Sequence, residues 1–181
     1  MQINLEAAVI SQIDLSRFLP HVPPEYRAPF QGAPGEEHYR LLAHLSTLFN
    51  DATLVDIGTD AGCSAMALSH NPRNRVISYD LENRRRSDIQ LPNVEFRVRD
   101  ALHDWQEWIA TPLISLDVAH EGDYEAIFYE FLSTSPFNGL LVLDDVYLNE
   151  AMKAFWATIT HTKFDITAVG HWSGTGLVVF E

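Results

Sequence analysis

The chain has a single cysteine, Cys63, so no disulfide can form within it, which fits a reducing compartment. Lysine is scarce, with only Lys153 and Lys163, and 12 basic residues stand against 25 acidic ones. The resulting net charge of −13 repels phosphate backbones and anionic lipid surfaces, which argues against nucleic acid and membranes as partners. No apolar run approaches membrane-spanning length, and "MQINLEAAVISQIDLSRF" carries Glu6 and Asp14 in an amphipathic pattern unlike a secretory signal. A cytoplasmic protein is expected. Internal repeats and low-complexity tracts are also absent, as is the GxGxxG spacing of a dinucleotide-binding loop.

What is present suits one domain, since 181 residues that are 46% hydrophobic can bury one substantial core. Residues 1–50 read as an N-terminal helix, an ordered loop or lid over "PHVPPEYRAPFQGAPG", and a helix across "EEHYRLLAHLSTLF". This segment is the expected substrate cover, with room for a homodimer contact. Residues 51–181 form the expected ligand-binding core. There "TLVDIG", "RVISYDL", "NVEFRVR", "PLISLDV" and "GLLVLDDV" are apolar, β-branched runs alternating with amphipathic segments, which predicts βαβ units and a parallel sheet covered on both faces. "KFDITAVG" and "GTGLVVFE" are separated only by "HWS", too short for a crossover helix, so they are predicted to pair as an antiparallel hairpin at the sheet edge. The run Arg84, Arg85, Arg86 reads as the solvated face of a short helix.

In an open parallel sheet, ligands bind beyond the carboxyl ends of the strands, where the first strand supplies the tight turn. "LVDIGTDAGCSAMALS" places Asp56, Gly58, Asp60 and Gly62 there. Gly58 permits positive φ, and Gly62 allows close backbone approach and starts a helix. A pyrophosphate needs backbone N–H groups unopposed by acid, whereas Asp56 and Asp60 bracket this turn and suit an amino group or a sulfonium. The competing reading makes Asp60 a turn residue and Asp56 an acceptor for backbone N–H. "SYDLE" puts Asp80 about twenty residues beyond the loop, where an acid bonds ribose hydroxyls, and "RVRDA" puts Asp100 at the next strand tip. Each acid alone would serve as a helix cap, but three successive acidic strand tips form a pattern.

With these motifs the sequence resembles the class I S-adenosylmethionine-dependent methyltransferases over Thr53–Glu181. "VDIGTDAGCSA" is similar to the family's first motif, "ISYDLE" to its ribose-binding acidic motif and "RDA" to its adenine-side motif. The resemblance implies an α/β, Rossmann-like, seven-stranded and mostly parallel sheet with an antiparallel terminal hairpin and helices on both faces. It also implies S-adenosylmethionine as cofactor, with Gly58, Asp60 and Gly62 at the methionine portion, Asp80 at the ribose, and Asp100 with Ala101 at the adenine. Asp56, Thr59, Ser64, Leu81 and Asp117 complete the expected cofactor-binding set.

A second group of acids lies in "SLDVAHEGDYEA" and "LLVLDDVY", which bring Asp117, His120, Asp144 and Asp145 to the same sheet edge. Three carboxylates there suit Mg²⁺ or another hard divalent cation, which would lower the pKa of a coordinated hydroxyl. The stretch resembles small metal-dependent O-methyltransferases of the catechol and caffeoyl-coenzyme A type, and more closely the branch with paired aspartates after strand five. That likeness implies Asp117, Asp144 and Asp145 as metal ligands and a hydroxyl of a small-molecule acceptor as the methyl recipient. The chain departs from the catechol type in having Asp144-Asp145 where that type has Asp-Asn, in Ala119 before the histidine, and in lacking a lysine near these tips. His120 is then the expected general base, with Asp117 beside it as a second catalytic residue. The plainer alternatives make His120 and one aspartate caps, and leave the other aspartate paired to an arginine.

Elsewhere Cys63 reads as a small buried hydrophobe. His38 and His44, six apart, do not share a helix face and are not read as metal ligands, while Glu37 and Tyr39 are candidates to reach the cofactor pocket. Trp105 and Trp108 read as packing against the sheet, with a purine wall as the alternative, and Trp172 with "WSGTG" reads as hairpin turn. A metal-free methyltransferase, a nicotinamide-dependent oxidoreductase and a non-catalytic methyltransferase-fold binding protein remain competing functions.

Overall fold

The computed structural model describes residues 3–85 and 90–181. Seven strands form one sheet in the order β3-β2-β1-β4-β5-β7-β6. They are β1 (Thr53–Ile57), β2 (Arg75–Asp80), β3 (Val94–Val98), β4 (Leu113–Leu116), β5 (Leu140–Leu143), β6 (Thr162–Asp165) and β7 (Gly176–Val179). The first five pair in parallel, and β7 inserts antiparallel between β5 and β6. The sheet is thus Rossmann-like with an antiparallel terminal hairpin. The helices are α1 (Ala7–Ile10), α2 (Arg27–Gln31), α3 (Glu36–Ser46), α4 (Cys63–Leu68), α5 (Trp105–Trp108), α6 (Asp123–Thr134) and α7 (Glu150–Thr158).

The period-two alternation of the strands splits the core into two layers. Leu54, Val76, Leu113, Leu140 and Val142 pack with α3, α4 and the N-terminal segment on one face. Val55, Ile77, Ile114, Leu141 and Leu143 pack with α6 and α7 on the other. Both faces being apolar, the central strands read as continuous hydrophobic runs. The few polar residues in those runs are therefore conspicuous. Asp56 lies in register with Ser78 on β2 and Ser115 on β4, all buried on the face that carries α3 and α4.

Three sequence expectations shift in detail. The N-terminal stretch holds only the short α1 and a 3₁₀ turn at Ser16–Phe18, and the lid is itself helical, with a 3₁₀ turn at Pro24–Tyr26 running into α2. The β6–β7 connection spans residues 166–175 rather than three residues, because Ile166 N–H already bonds Thr175 O and the intervening chain folds as a 3₁₀ turn at Thr167–Val169 before turning back. Arg84 and Arg85 are not helical. Arg84 pairs with Glu82 at 2.9 Å and Arg85 covers the Phe96 ring at 4.3 Å, while Arg86 lies outside the described residues. No helix among the described residues is long and apolar enough to cross a membrane.

Candidate active site

At the switch point β1 pairs with β2 on one side and β4 on the other, leaving a cleft of about 510 Å³ outside the strand tips. Gly58, Asp60, Asp80, Leu81, Asp100, Ala101, Asp117 and His120 from the expected set all line it. Asp80 organises the loop. Its Oδ2 accepts the Asp60 N–H at 2.8 Å and its Oδ1 accepts the Glu82 N–H at 3.0 Å. Asp100 Oδ1 caps the turn at Ala101–Asp104 through Leu102 N–H at 2.9 Å and also accepts the Tyr124 hydroxyl at 2.8 Å. Tyr124, from α6, lines the cleft and was not singled out in the sequence. Arg84 and Arg99 are the cationic residues of the lining, against Asp60, Asp80, Glu82, Asp100 and Asp117, so the cleft favours a ligand with positive charge.

The remaining expected cofactor residues stand behind the cleft wall. Asp56 is fully buried, its Oδ2 accepting the Ser78 hydroxyl at 2.6 Å. Burial pushes its carboxyl up to about 7, although the Ser78 and Ser64 hydroxyls pull the other way. Thr59 and Ser64 are buried, Thr59 sharing a 2.6 Å hydrogen bond with Ser78. Gly62, at φ +88°, precedes α4. These residues shape the loop from beneath and do not line this cleft. Gly58 is constrained more severely. Its φ is +99°, and a Cβ there would lie 1.5 Å from the Asp117 carbonyl oxygen, so only glycine lets the β1 tip lie against the β4 tip.

Beside the cleft, the second acidic group forms a ring with three histidines. Leu116 and Leu143 face α6 and α7, so the next residues, Asp117 and Asp144, turn to the other face, toward α3. There His38, in the first turn of α3 and 4% exposed, places Nδ1 3.4 Å from Asp144 Oδ1. Asp144 Oδ2 lies 3.7 Å from His171 Nδ1, which is 3.1 Å from Asp145 Oδ1. His120 Nε2 then bridges Asp145 Oδ2 at 3.3 Å and Asp117 Oδ1 at 3.2 Å. Ligand-type atoms of His38, Asp117 and Asp144 lie within 4.8 Å of one another, which closes the ring. Asp117 and His120 belong both to the ring and to the cleft.

Electrostatics within the ring follow from burial and pairing. Burial alone would lower the His38 pKa, but the Asp144 charge and contact lift it to about 9. His120 is likewise raised, its Asp117 and Asp145 partners outweighing desolvation. The contact with Asp145 raises His171. Burial raises Asp117, while Asp145 is held low despite burial by His171 and Ser173. Among the described residues, non-glycine positive φ occurs at Asp51, Asp60, His120 and Asp145, and the last three lie in the cleft or ring. Backbone strain concentrated in this way marks a functional site.

His38 and His171 were not read as site residues. Spacing compares His38 with His44, which instead bonds Asn4 O at 2.7 Å, and His171 falls in the "HWS" link between the last two strand runs. A histidine two residues from a serine in the final loop is the one available signal for His171, since Ser173 also donates to Asp145. Glu37 accepts the Gly35 N–H at 3.0 Å and Tyr39 packs on Phe30, so neither lines the cleft. Trp108 is buried, donating to Ala101 O at 2.8 Å, and Trp105 meets Phe131 edge-on, which leaves no purine wall from either. Cys63 is buried, and burial pushes its thiol up to about 12. From the lid, the Tyr26 hydroxyl donates to Asp60 Oδ2 at 2.5 Å, tying the N-terminal segment to the glycine loop.

No family profile matches the chain, and no curated protein matches it in sequence. Solved structures do. The O-methyltransferase from Bacillus cereus in complex with S-adenosylhomocysteine superposes with a TM-score of 0.59 at 18% identity, covering 100% of this chain and 93% of that one. The O-methyltransferase TomG from Streptomyces achromogenes, solved with S-adenosylmethionine, gives 0.55 at 18% identity over 100% and 92%. The S-adenosylhomocysteine-bound Podospora anserina methyltransferase PaMTH1 gives 0.56 at 14% identity over 97% and 94%. At such identities the likeness establishes the fold, and it spans nearly the whole of each partner.

Proposed function

We propose that this protein transfers a methyl group from S-adenosylmethionine to a hydroxyl of a small-molecule acceptor. One observation carries the reading: acids from three successive strand tips, beside a glycine turn, line a single cleft that opens onto the Asp117–His120 pair. Neighbours of the same fold were solved with this cofactor or its demethylated product. The bound cofactor supplies an electrophilic methyl group on a cationic sulfur, which suits the acid-lined cleft.

Asp80 would bond the ribose hydroxyls, while it holds the loop through Asp60 N–H. Asp100 and Ala101 would border the adenine, and Gly58 and Asp60 the methionine end. His120, in contact with Asp117, would take the acceptor hydroxyl's proton, leaving the oxygen to attack in line. That role requires neutral imidazole, so the rate should rise with pH through the raised pKa of His120.

The donor chemistry of the ring also fits a divalent cation, Mg²⁺ or another, with Asp117 and Asp144 as the available carboxylates. Asp144 Oδ1 is buried without a hydrogen-bond partner, whereas Asp145 is held by Ser173, His171 and His120. A metal-free variant of the same reaction draws support from the histidine partner beside each aspartate, which can balance the charge without a cation. Incubation with S-adenosylmethionine and a panel of phenolic and aliphatic alcohols, with and without chelator, tests the reading. Acceptor-dependent release of S-adenosylhomocysteine is expected. Absence of turnover with every hydroxyl, alongside turnover of matched amines or thiols run in parallel, would overturn the acceptor class, and chelator-resistant turnover would select the metal-free variant.

A further inference from the structure

Three aspartates at one sheet edge would by themselves accommodate any hard cation, but the ring separates them into used and unused ligands. Asp145 has both oxygens engaged, Oδ1 by Ser173 and His171 and Oδ2 by His120. Asp144 Oδ1 has no hydrogen-bond partner, and neither ring nitrogen of His38 has one, although both side chains are more than nine-tenths buried. The imidazole is turned toward that oxygen, Nδ1 lying 3.4 Å away. Asp117 supplies the third donor, within 4.8 Å of both. The two side chains meet as an ion pair without a hydrogen bond, so their nitrogen and oxygen lone pairs converge on one point where a cation could replace the shared proton.

We propose that His38, Asp117 and Asp144 form a mixed nitrogen–oxygen cation site, which selects a borderline transition-metal dication over Mg²⁺. This inference rests on the reading of the ring as a cation site and exchanges Asp145 for His38 in the ligand set. Mg²⁺ demands oxygen ligands and gives up its water reluctantly, whereas imidazole suits Fe²⁺, Co²⁺, Ni²⁺ and Zn²⁺. Asp145 then acts one layer out, fixed by Ser173 and His171, and holds His120. Asp117 also lines the cleft, so a cation held by these three residues would lie beside the space open to an acceptor.

Chelator-stripped protein is titrated calorimetrically with Co²⁺ and with Mg²⁺, and the Mn²⁺-loaded protein is examined by pulsed electron paramagnetic resonance for nitrogen coupling, in wild type, His38→Ala and His171→Asn. The expected result is Co²⁺ binding at least about tenfold tighter than Mg²⁺, with nitrogen coupling that survives His171→Asn and is lost in His38→Ala. The wild-type spectrum serves even if His38→Ala fails to fold. Equal affinity for the two ions without nitrogen coupling would overturn this inference and leave an oxygen-ligated cation in place. Coupling that persists in His38→Ala and disappears in His171→Asn would overturn it in favour of the other histidine. No binding of either ion would overturn it together with the cation in the proposed function, leaving methyl transfer to the metal-free variant.

Discussion

Asp56 sits at the centre of the sheet with the Ser78 hydroxyl donating to it, and its carboxyl is pushed up to about 7 from an ordinary 3.8, burial being the main cause. A raised carboxyl keeps its proton in the fold where the unfolded chain has lost it. Its stabilising contribution is therefore complete below pH 3.8 and is lost as pH rises to about 7. Asp56→Asn, which does not titrate, should gain on wild type in unfolding free energy by roughly 3 kcal/mol between pH 4 and pH 7, then approach a parallel course above it. Denaturant melts across that range check this, and a pH-independent difference would refute the buried-acid reading. Asp80 carries the opposite kind of burden, since it faces the cleft and accepts two backbone N–H groups. Asp80→Ala should weaken S-adenosylhomocysteine binding by tenfold or more, about 1.4 kcal/mol. Asp80→Asn should retain part of the affinity, because its amide oxygen still accepts one bond. Unchanged calorimetric affinity in the alanine variant would remove Asp80 from the ligand site.

The β1 and β4 tips couple the glycine loop to the histidine–aspartate ring through a close approach at Gly58. At Gly58 a side chain would collide with the Asp117 carbonyl, and the backbone is in the left-handed region. Gly58→Ala should cost at least about 3 kcal/mol, seen as a melting temperature lowered by roughly 10 °C. A variant as stable as wild type would show that the two tips separate freely. The same elements show what could be read in advance. β1, β2, β4 and β5 were legible because strands covered on both faces demand continuous apolar runs, β3 because its Val94, Phe96 and Val98 alternate with Glu95 and Arg97 at the half-exposed edge, and strand-tip acids follow from where those runs stop. His38 and His171 were not, because a helix face or a turn is judged within its own element, whereas these side chains act on aspartates 106 and 26 residues away along the chain. The β6–β7 connection was misjudged for a related reason. Its residues fold toward Asp145 and so leave the ladder early, a tertiary effect that local β-propensity does not record.

At the scale of the whole molecule, a chain of net charge −13 gathers carboxylates around the cleft and, in the adjoining ring, balances Asp117, Asp144 and Asp145 with histidines. The lid reinforces this arrangement, since Tyr26 donates to Asp60 from above while Asp80 accepts from the same residue's backbone below. A cleft so charged should prefer a sulfonium nucleoside to a dinucleotide bearing a pyrophosphate. The most direct measurement is calorimetric titration of the protein with S-adenosylmethionine, S-adenosylhomocysteine and NAD under identical buffer and metal conditions. Saturable one-to-one binding of both sulfur nucleosides, with none of NAD, is the expected result. Binding of NAD alone, or of none of the three, would contradict the methyltransferase reading and leave the acid-lined cleft to a different cationic ligand.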